Sequence, residues 1–200
     1  MTTFVKICGV TTAEALDAAV TAGADAIGFV FHAPSPRNIE PKRAALLARN
    51  LPRGILRVAV TRHPQQEGID RILDSFTPDA WQSDAADFDA LQLPHGIERW
   101  PVLRKLAPAP VGLQRILFDS PASGSGERGN WGAAALLART RELILGGGLD
   151  AANVGRAIAA VRPFGVDVSS GVERAPGIKD GRRIREFIVA ARLARQVVRA

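Results

Sequence analysis

Cys8 is the only cysteine among 200 residues. It closes the apolar run Phe4-Val5-Lys6-Ile7-Cys8, which Gly9 ends at once. A thiol so placed is either a small buried hydrophobe or, as its thiolate, a general base or nucleophile. The second role needs positive charge nearby. Lys6 shares Cys8's side of a strand under period-two alternation, and a following helix N-terminus is another source. An interior lysine there would serve a substrate or a carboxylate. Asp119 ends a second apolar run, Ile116-Leu117-Phe118, and either caps the next turn or faces a site. Arg37 follows the stiff segment Pro34-Ser35-Pro36; it is a surface arginine or a fork that grips a carboxylate with two parallel hydrogen bonds. Gly147-Gly148 and Ser169-Ser170-Gly171 are tight turns or, taken together, a phosphate cradle of close backbone and hydroxyl donors.

These groups need strands to hold them. Apolar strand patterns alternate with helix patterns along the chain, which argues for a parallel sheet with crossover helices. Strands are expected at Phe4–Cys8, Ala26–Phe31, Leu56–Thr61, Ala80–Gln82, Glu98–Leu103, Gln114–Phe118, Glu142–Leu145 and Gly165–Val168, with Pro101 weakening the fifth. Helices are expected at Thr12–Ala22, Pro41–Asn50, Gln66–Ser75 and about Gly181–Val198. Eight strands fit a closed (β/α)8 TIM barrel, class α/β, as one domain over residues 1–200. In such barrels, catalytic groups sit at the carboxyl ends of the strands, and the loops after strands seven and eight frequently hold phosphate. Cys8, Asp119 and the two glycine-rich stretches all occupy such ends. The segment Ser120–Asn130, with Gly124-Ser125-Gly126, reads as a mobile lid or a surface loop.

Composition narrows the classes. Apolar residues make up 46% of the chain, enough for a sizeable core. No apolar stretch is long enough to span a bilayer, and the N-terminus lacks a signal-peptide pattern, so a cytoplasmic protein without membrane contact is expected. One cysteine forms no internal disulfide. His32, His63 and His95 show no metal-ligand spacing, so no metal is expected. No dinucleotide fingerprint follows the first strand, so no nicotinamide or flavin is expected. The net charge of +6 is spread over 26 Lys and Arg, with one cluster near the C-terminus. That reads as a solvated basic surface, the alternative being a field that steers an anionic phosphosugar inward, with no nucleic-acid partner expected. The last helix has apolar positions Ile184, Phe187, Ile188 and Ala191 at helical spacing, which suits core packing. The chain is expected to be a monomer or a homodimer.

Several segments together resemble the phosphoribosylanthranilate isomerase family of tryptophan biosynthesis. They are Lys6-Ile7-Cys8-Gly9, Ala24–Phe31 with Ser35-Pro36-Arg37, Leu117-Phe118-Asp119, Leu145-Gly146-Gly147-Gly148-Leu149, and Val166–Glu173 with Pro176-Gly177-Lys179-Asp180. The resemblance implies an Amadori rearrangement of an aminoaldose phosphate to an aminoketose without any cofactor. It makes Cys8 the general base, Asp119 the general acid and Arg37 the ligand of the anthranilate carboxylate. The loops after strands seven and eight would hold the phosphate. Where the family commonly has Gln-Leu-His-Gly after strand four, this chain reads Trp81-Gln82-Ser83-Asp84, so the family histidine is missing there. The third strand ends Val60-Thr61-Arg62 in place of an aromatic or valine followed by asparagine. The competing readings are another phosphosugar barrel of the histidine-pathway type, and a non-catalytic phosphate- or nucleic-acid-binding barrel.

Overall fold

The first strand, β1 (Phe4–Cys8), is almost wholly buried, and its neighbours on both sides are parallel to it. A computed structural model describes residues 2–107, 112–121 and 130–197. In it β2 (Ala26–Val30), β3 (Leu56–Val60), β4 (Ala80–Asp84), β5 (Glu98–Leu103), β6 (Arg115–Phe118), β7 (Glu142–Leu145) and β8 (Gly165–Val168) follow in ring order, and β8 closes on β1. The barrel is closed and parallel throughout.

Two apolar layers hold it. Inside the ring, Ala26, Val58, Ala80, Trp100, Val102, Leu117 and Ile144 pack together. At the amino ends of the strands Arg115 plugs the ring, stacked over Phe4, Trp100 and Phe164 and paired with Glu98 and Glu142. The outward-facing strand residues, such as Phe29, Trp81 and Phe118, join the helices in a second, larger core. Continuous apolar strands are the sequence mark of a sheet covered on both faces.

The helices are α1 (Ala13–Thr21), α2 (Pro41–Ala48), α3 (Gln66–Leu73), α4 (Trp131–Leu137), α5 (Val154–Val161) and α6 (Gly181–Val197). Thr12 caps α1 by accepting from the Ala15 amide, and Glu14 in the first turn favours the positive helix end. Pro41 occupies the first turn of α2, where no donor is needed. The strict alternation breaks in two places. A 3-10 turn, Ala85–Asp89, follows β4, and the described residues between β5 and β6 hold no helix. Pro101 does not stop β5. The ladder to β6 begins only at Val102, past the residue with no N–H to give. After β8, a 3-10 turn at Ser170–Val172 leads into an antiparallel hairpin, β9 (Glu173–Ala175) and β10 (Ile178–Lys179).

The arginine-rich α6 packs by Ile184, Phe187, Ile188 and Ala191, all buried. Its arginines also fasten it: Arg183 donates to the Glu173 carbonyl, and Arg192 to the Thr3 and Gly23 carbonyls and to Asp25.

Candidate active site

Alternation on β1 turns Lys6 and Cys8 to the barrel interior, one layer apart. Lys6 is fully buried, and its Nζ donates to Asp167 Oδ1 at 2.8 Å, across the β1–β8 closure where the two residues are in register. Gly28 on β2 leaves room for this pair. A Cβ there would sit 3.0 Å from Cys8 Sγ and 3.1 Å from Lys6 Nζ. Burial pushes the Cys8 thiol above its ordinary value; the Lys6 charge pulls it down, and Asp167 pushes it up again. The sequence offered Lys6 and a helix N-terminus as sources of the charge a thiolate needs. In the structure burial outweighs that single cation, whose charge Asp167 shares, and the resting thiol keeps its proton. For Lys6, burial lowers the ammonium, but Asp167 and Cys8 raise it by more, so it stays charged.

Cys8 lines a cavity of about 390 Å³ at the carboxyl ends of the strands. Asp119, Arg37, Asp167 and Ser169 line the same cavity, which thus gathers side chains from or just beyond β1, β2, β6 and β8. Asp119 is half-buried, and its Oδ1 accepts from the Ser120 amide at 2.7 Å. Of the other residues singled out in the sequence, Lys6 lies a layer below the cavity. Gly147, Gly148, Ser170 and Gly171 lie in the loops beside it and do not form its lining. Those loops are tightly joined. A Cβ at Gly147 would lie 2.6 Å from the Ser120 amide nitrogen, and one at Gly171 would lie 1.9 Å from the Leu149 carbonyl oxygen. Ser169 Oγ donates to the Cys8 carbonyl at 3.1 Å and accepts from Lys179 Nζ at 3.2 Å. Gly124-Ser125-Gly126 lies outside the described residues.

Arg37 is gripped from within the protein. Its Nε and Nη2 donate to the two carboxylate oxygens of Glu173 at 2.8 and 2.9 Å. Lys179, 1% exposed, donates to the same carboxylate at 2.7 Å and to the Ser169 carbonyl. Burial pushes the Glu173 carboxyl up, but the Arg37 hydrogen bonds and the Lys179 charge hold it below the usual carboxylate range. Burial likewise holds Lys179 below the usual lysine value, against the pull of Glu173. The stem of Arg37 lies over Gly9, which has φ +77°; a Cβ on Gly9 would stand 2.7 Å from Arg37 Cδ. The Cys8-Gly9 pair therefore joins two demands, a side chain in the cavity and a backbone thin enough for Arg37 to cross.

The far side of the mouth is built by β3 and β4. Trp81 Nε1 donates to Thr61 Oγ1, which bonds Ser83, and Ser83 in turn donates to Asp87. Asp84 pairs with Arg104 and His63, with Arg62 3.9 Å away. His63, Asp84 and Asp87 bring one ligand atom each within 4.8 Å of one another, a cluster invisible in sequence because two loops build it. Its carboxylates already accept from Arg104, Ser83 and the His63 amide. Gln82, also on β4, lines the cavity.

Sequence reasoning missed Asp167, Glu173, Lys179 and Gln82 as members of the site. A signal existed for two of them: period two puts Asp167 on the face of Ser169 in the eighth strand and Gln82 on the face of Ala80 in the fourth. Glu173 and Lys179 reach Arg37 only through the β9–β10 hairpin.

The chain's likeness to known proteins agrees with this geometry. Residues 5–190 match the family model described as N-(5'-phosphoribosyl)anthranilate (PRA) isomerase. A relative from Bordetella parapertussis, named N-(5'-phosphoribosyl)anthranilate isomerase, is 38% identical over 223 aligned positions covering 100% of both chains. The solved phosphoribosyl anthranilate isomerase of Thermus thermophilus superposes with a TM-score of 0.81 at 30% identity, over 96% of this chain and 99% of that one. Another solved isomerase superposes with a TM-score of 0.75 at 32% identity, over 94% and 98% of the two chains. It is in complex with reduced 1-(o-carboxyphenylamino)-1-deoxyribulose 5-phosphate.

Proposed function

Since this chain belongs to the N-(5'-phosphoribosyl)anthranilate isomerase family, we propose that it converts N-(5-phosphoribosyl)anthranilate to 1-(2-carboxyphenylamino)-1-deoxyribulose 5-phosphate in tryptophan biosynthesis. Asp119 acts as general acid and Cys8 as general base. The observation that carries this reading is the presence of Cys8 and Asp119 on the lining of one cavity. They come from β1 and β6, with β7 and β8 between them in the ring.

The chemistry follows from those positions. Asp119 protonates the ribose ring oxygen, the ring opens, and an iminium forms at the anilino nitrogen. The iminium acidifies the proton on the sugar's C2, and the Cys8 thiolate removes it. The resulting enolamine tautomerises to the ketone. Each proton transfer contributes on the order of 10²–10⁴ in rate. Cys8 enters the step as thiolate, its proton lost to solvent through the cavity mouth, and the positive iminium stabilises that thiolate. Lys6 stands below Cys8 as a fixed counter-charge. Arg37, held by Glu173, is placed to take the anthranilate carboxylate, and Gly147, Gly148, Ser169, Ser170 and Gly171 take the phosphate. No step needs a cofactor.

The test is fluorimetric. Phosphoribosylanthranilate made in situ loses its fluorescence as it isomerises, and the purified protein should speed that decay. Decay at the background rate refutes the function. Growth of a tryptophan auxotroph lacking the isomerase step, restored by this chain, is the matching result in cells.

A further inference from the structure

Lys179 on β10 buries an ammonium that no step of the proposed chemistry uses, with its side chain 1% exposed. An ammonium has three protons to place and no acceptor to offer. Three acceptors surround it: Glu173 Oε1 at 2.7 Å, the Ser169 carbonyl at 3.0 Å and Ser169 Oγ at 3.2 Å. That arrangement fixes the hydroxyl. Ser169 Oγ accepts from Lys179, so its single proton goes to the Cys8 carbonyl, 3.1 Å away. The β1–β8 ladder ends with Ile7 opposite Val168, one residue short of Cys8 and Ser169. The Ser169 side chain carries that pairing one residue further, onto the backbone of Cys8. On the β2 side, Gly9 and Val10 both donate to the Gly28 carbonyl.

We propose that Lys179 is the positioning residue of the base, holding the Cys8 backbone through the Ser169 hydroxyl and tying it to the Arg37–Glu173 pair. This rests on the isomerase reading above. One ammonium then serves two tasks: Glu173 sets the guanidinium that takes the carboxylate, and Ser169 sets the thiolate that takes the C2 proton. The Ser169 hydroxyl has no proton left for the phosphate, which meets that residue through its amide. A base displaced by about 1 Å loses on the order of a hundredfold in rate, which gives a buried, fully bonded charge its use here. The charges that face Cys8 are Lys6 from its own strand, Asp167 from β8 and Lys179 from β10. Lys179 in turn faces Glu173 and Arg37. Its charge, like that of Lys6, favours the thiolate.

Two variants and two readouts test this. Cys8 is the sole cysteine, so alkylation by iodoacetamide reports its thiolate without substrate. Lys179→Met keeps the apolar stem and removes the cation. The pH midpoint of alkylation should rise by at least about half a unit, and kcat should fall at least about tenfold. Ser169→Ala keeps the cation and its bond to Glu173 but cuts the link to Cys8. Its alkylation midpoint should stay at the wild-type value, while kcat falls about tenfold and KM stays within about twofold. An unmoved midpoint in folded Lys179→Met overturns the proposal. Wild-type kcat in Ser169→Ala overturns it too, and a KM raised alone marks the hydroxyl as a phosphate ligand. Should Lys179→Met fail to fold, Ser169→Ala decides alone. A wild-type protein without turnover would instead sink the isomerase reading, while the alkylation midpoints would still report on Lys179.

Discussion

Two side chains carry the proposed chemistry, and each has its own deletion. Cys8→Ser and Asp119→Asn should each reduce kcat at least about a hundredfold with the fold intact by circular dichroism. Near-wild-type turnover in either removes that residue from its role. The state of Cys8 adds a pH signature. The base works as thiolate, and burial raises the thiol above its ordinary 9.0. In the free protein, kcat/KM should therefore climb with pH through and beyond that value, and the alkaline rise should vanish in Cys8→Ser. A profile flat from about pH 7 to 9 contradicts Cys8 as the base. The thiol also shows the limit of residue-level reading. A lysine two positions away is a source of positive charge, but the sign of the shift depends on burial and on where Asp167 lies. Both are settled by the closure of β8 on β1.

At the scale of elements, the β9–β10 hairpin deserves weight equal to the strands. It returns Glu173 and Lys179 to the β2 loop and fixes Arg37 by two parallel bonds. Glu173→Gln should loosen that guanidinium and raise KM about tenfold with a smaller change in kcat; an unchanged KM counts against Arg37 as the carboxylate ligand. The same variant has a stability readout. The Glu173 carboxyl is held below its ordinary 4.5, so its contribution is present above that pH and fades as pH falls through the lower folded value. Glu173→Gln should lack that acid-side fade. Most elements were legible beforehand: β1, β5, β7 and β8 begin and end where apolar runs and glycines placed them. Missing from the sequence reading was the hairpin, because strands of three and two residues leave too little periodicity to detect.

The whole molecule carries a net charge of +6 around a mouth lined by Arg37, Arg62 and Arg104. A substrate bearing a phosphate and a carboxylate is drawn toward such a field, which salt screens over about 8 Å at physiological strength. Stopped-flow or steady-state assays should show kcat/KM falling several-fold from low to high salt; a salt-independent value would assign the charge to the surface alone. The amino-acid sequence by itself determined the ring of strands and the placing of Cys8, Asp119 and Ser169 at their carboxyl ends, because alternation and apolar runs are local properties. Tertiary closure alone decided that Asp167 neutralises part of Lys6, that Glu173 holds Arg37, and that the Gln82 side-chain oxygen is left without a partner. The two ion pairs join residues 161 and 136 positions apart, and no local pattern records which distant carboxylate the folded barrel brings near.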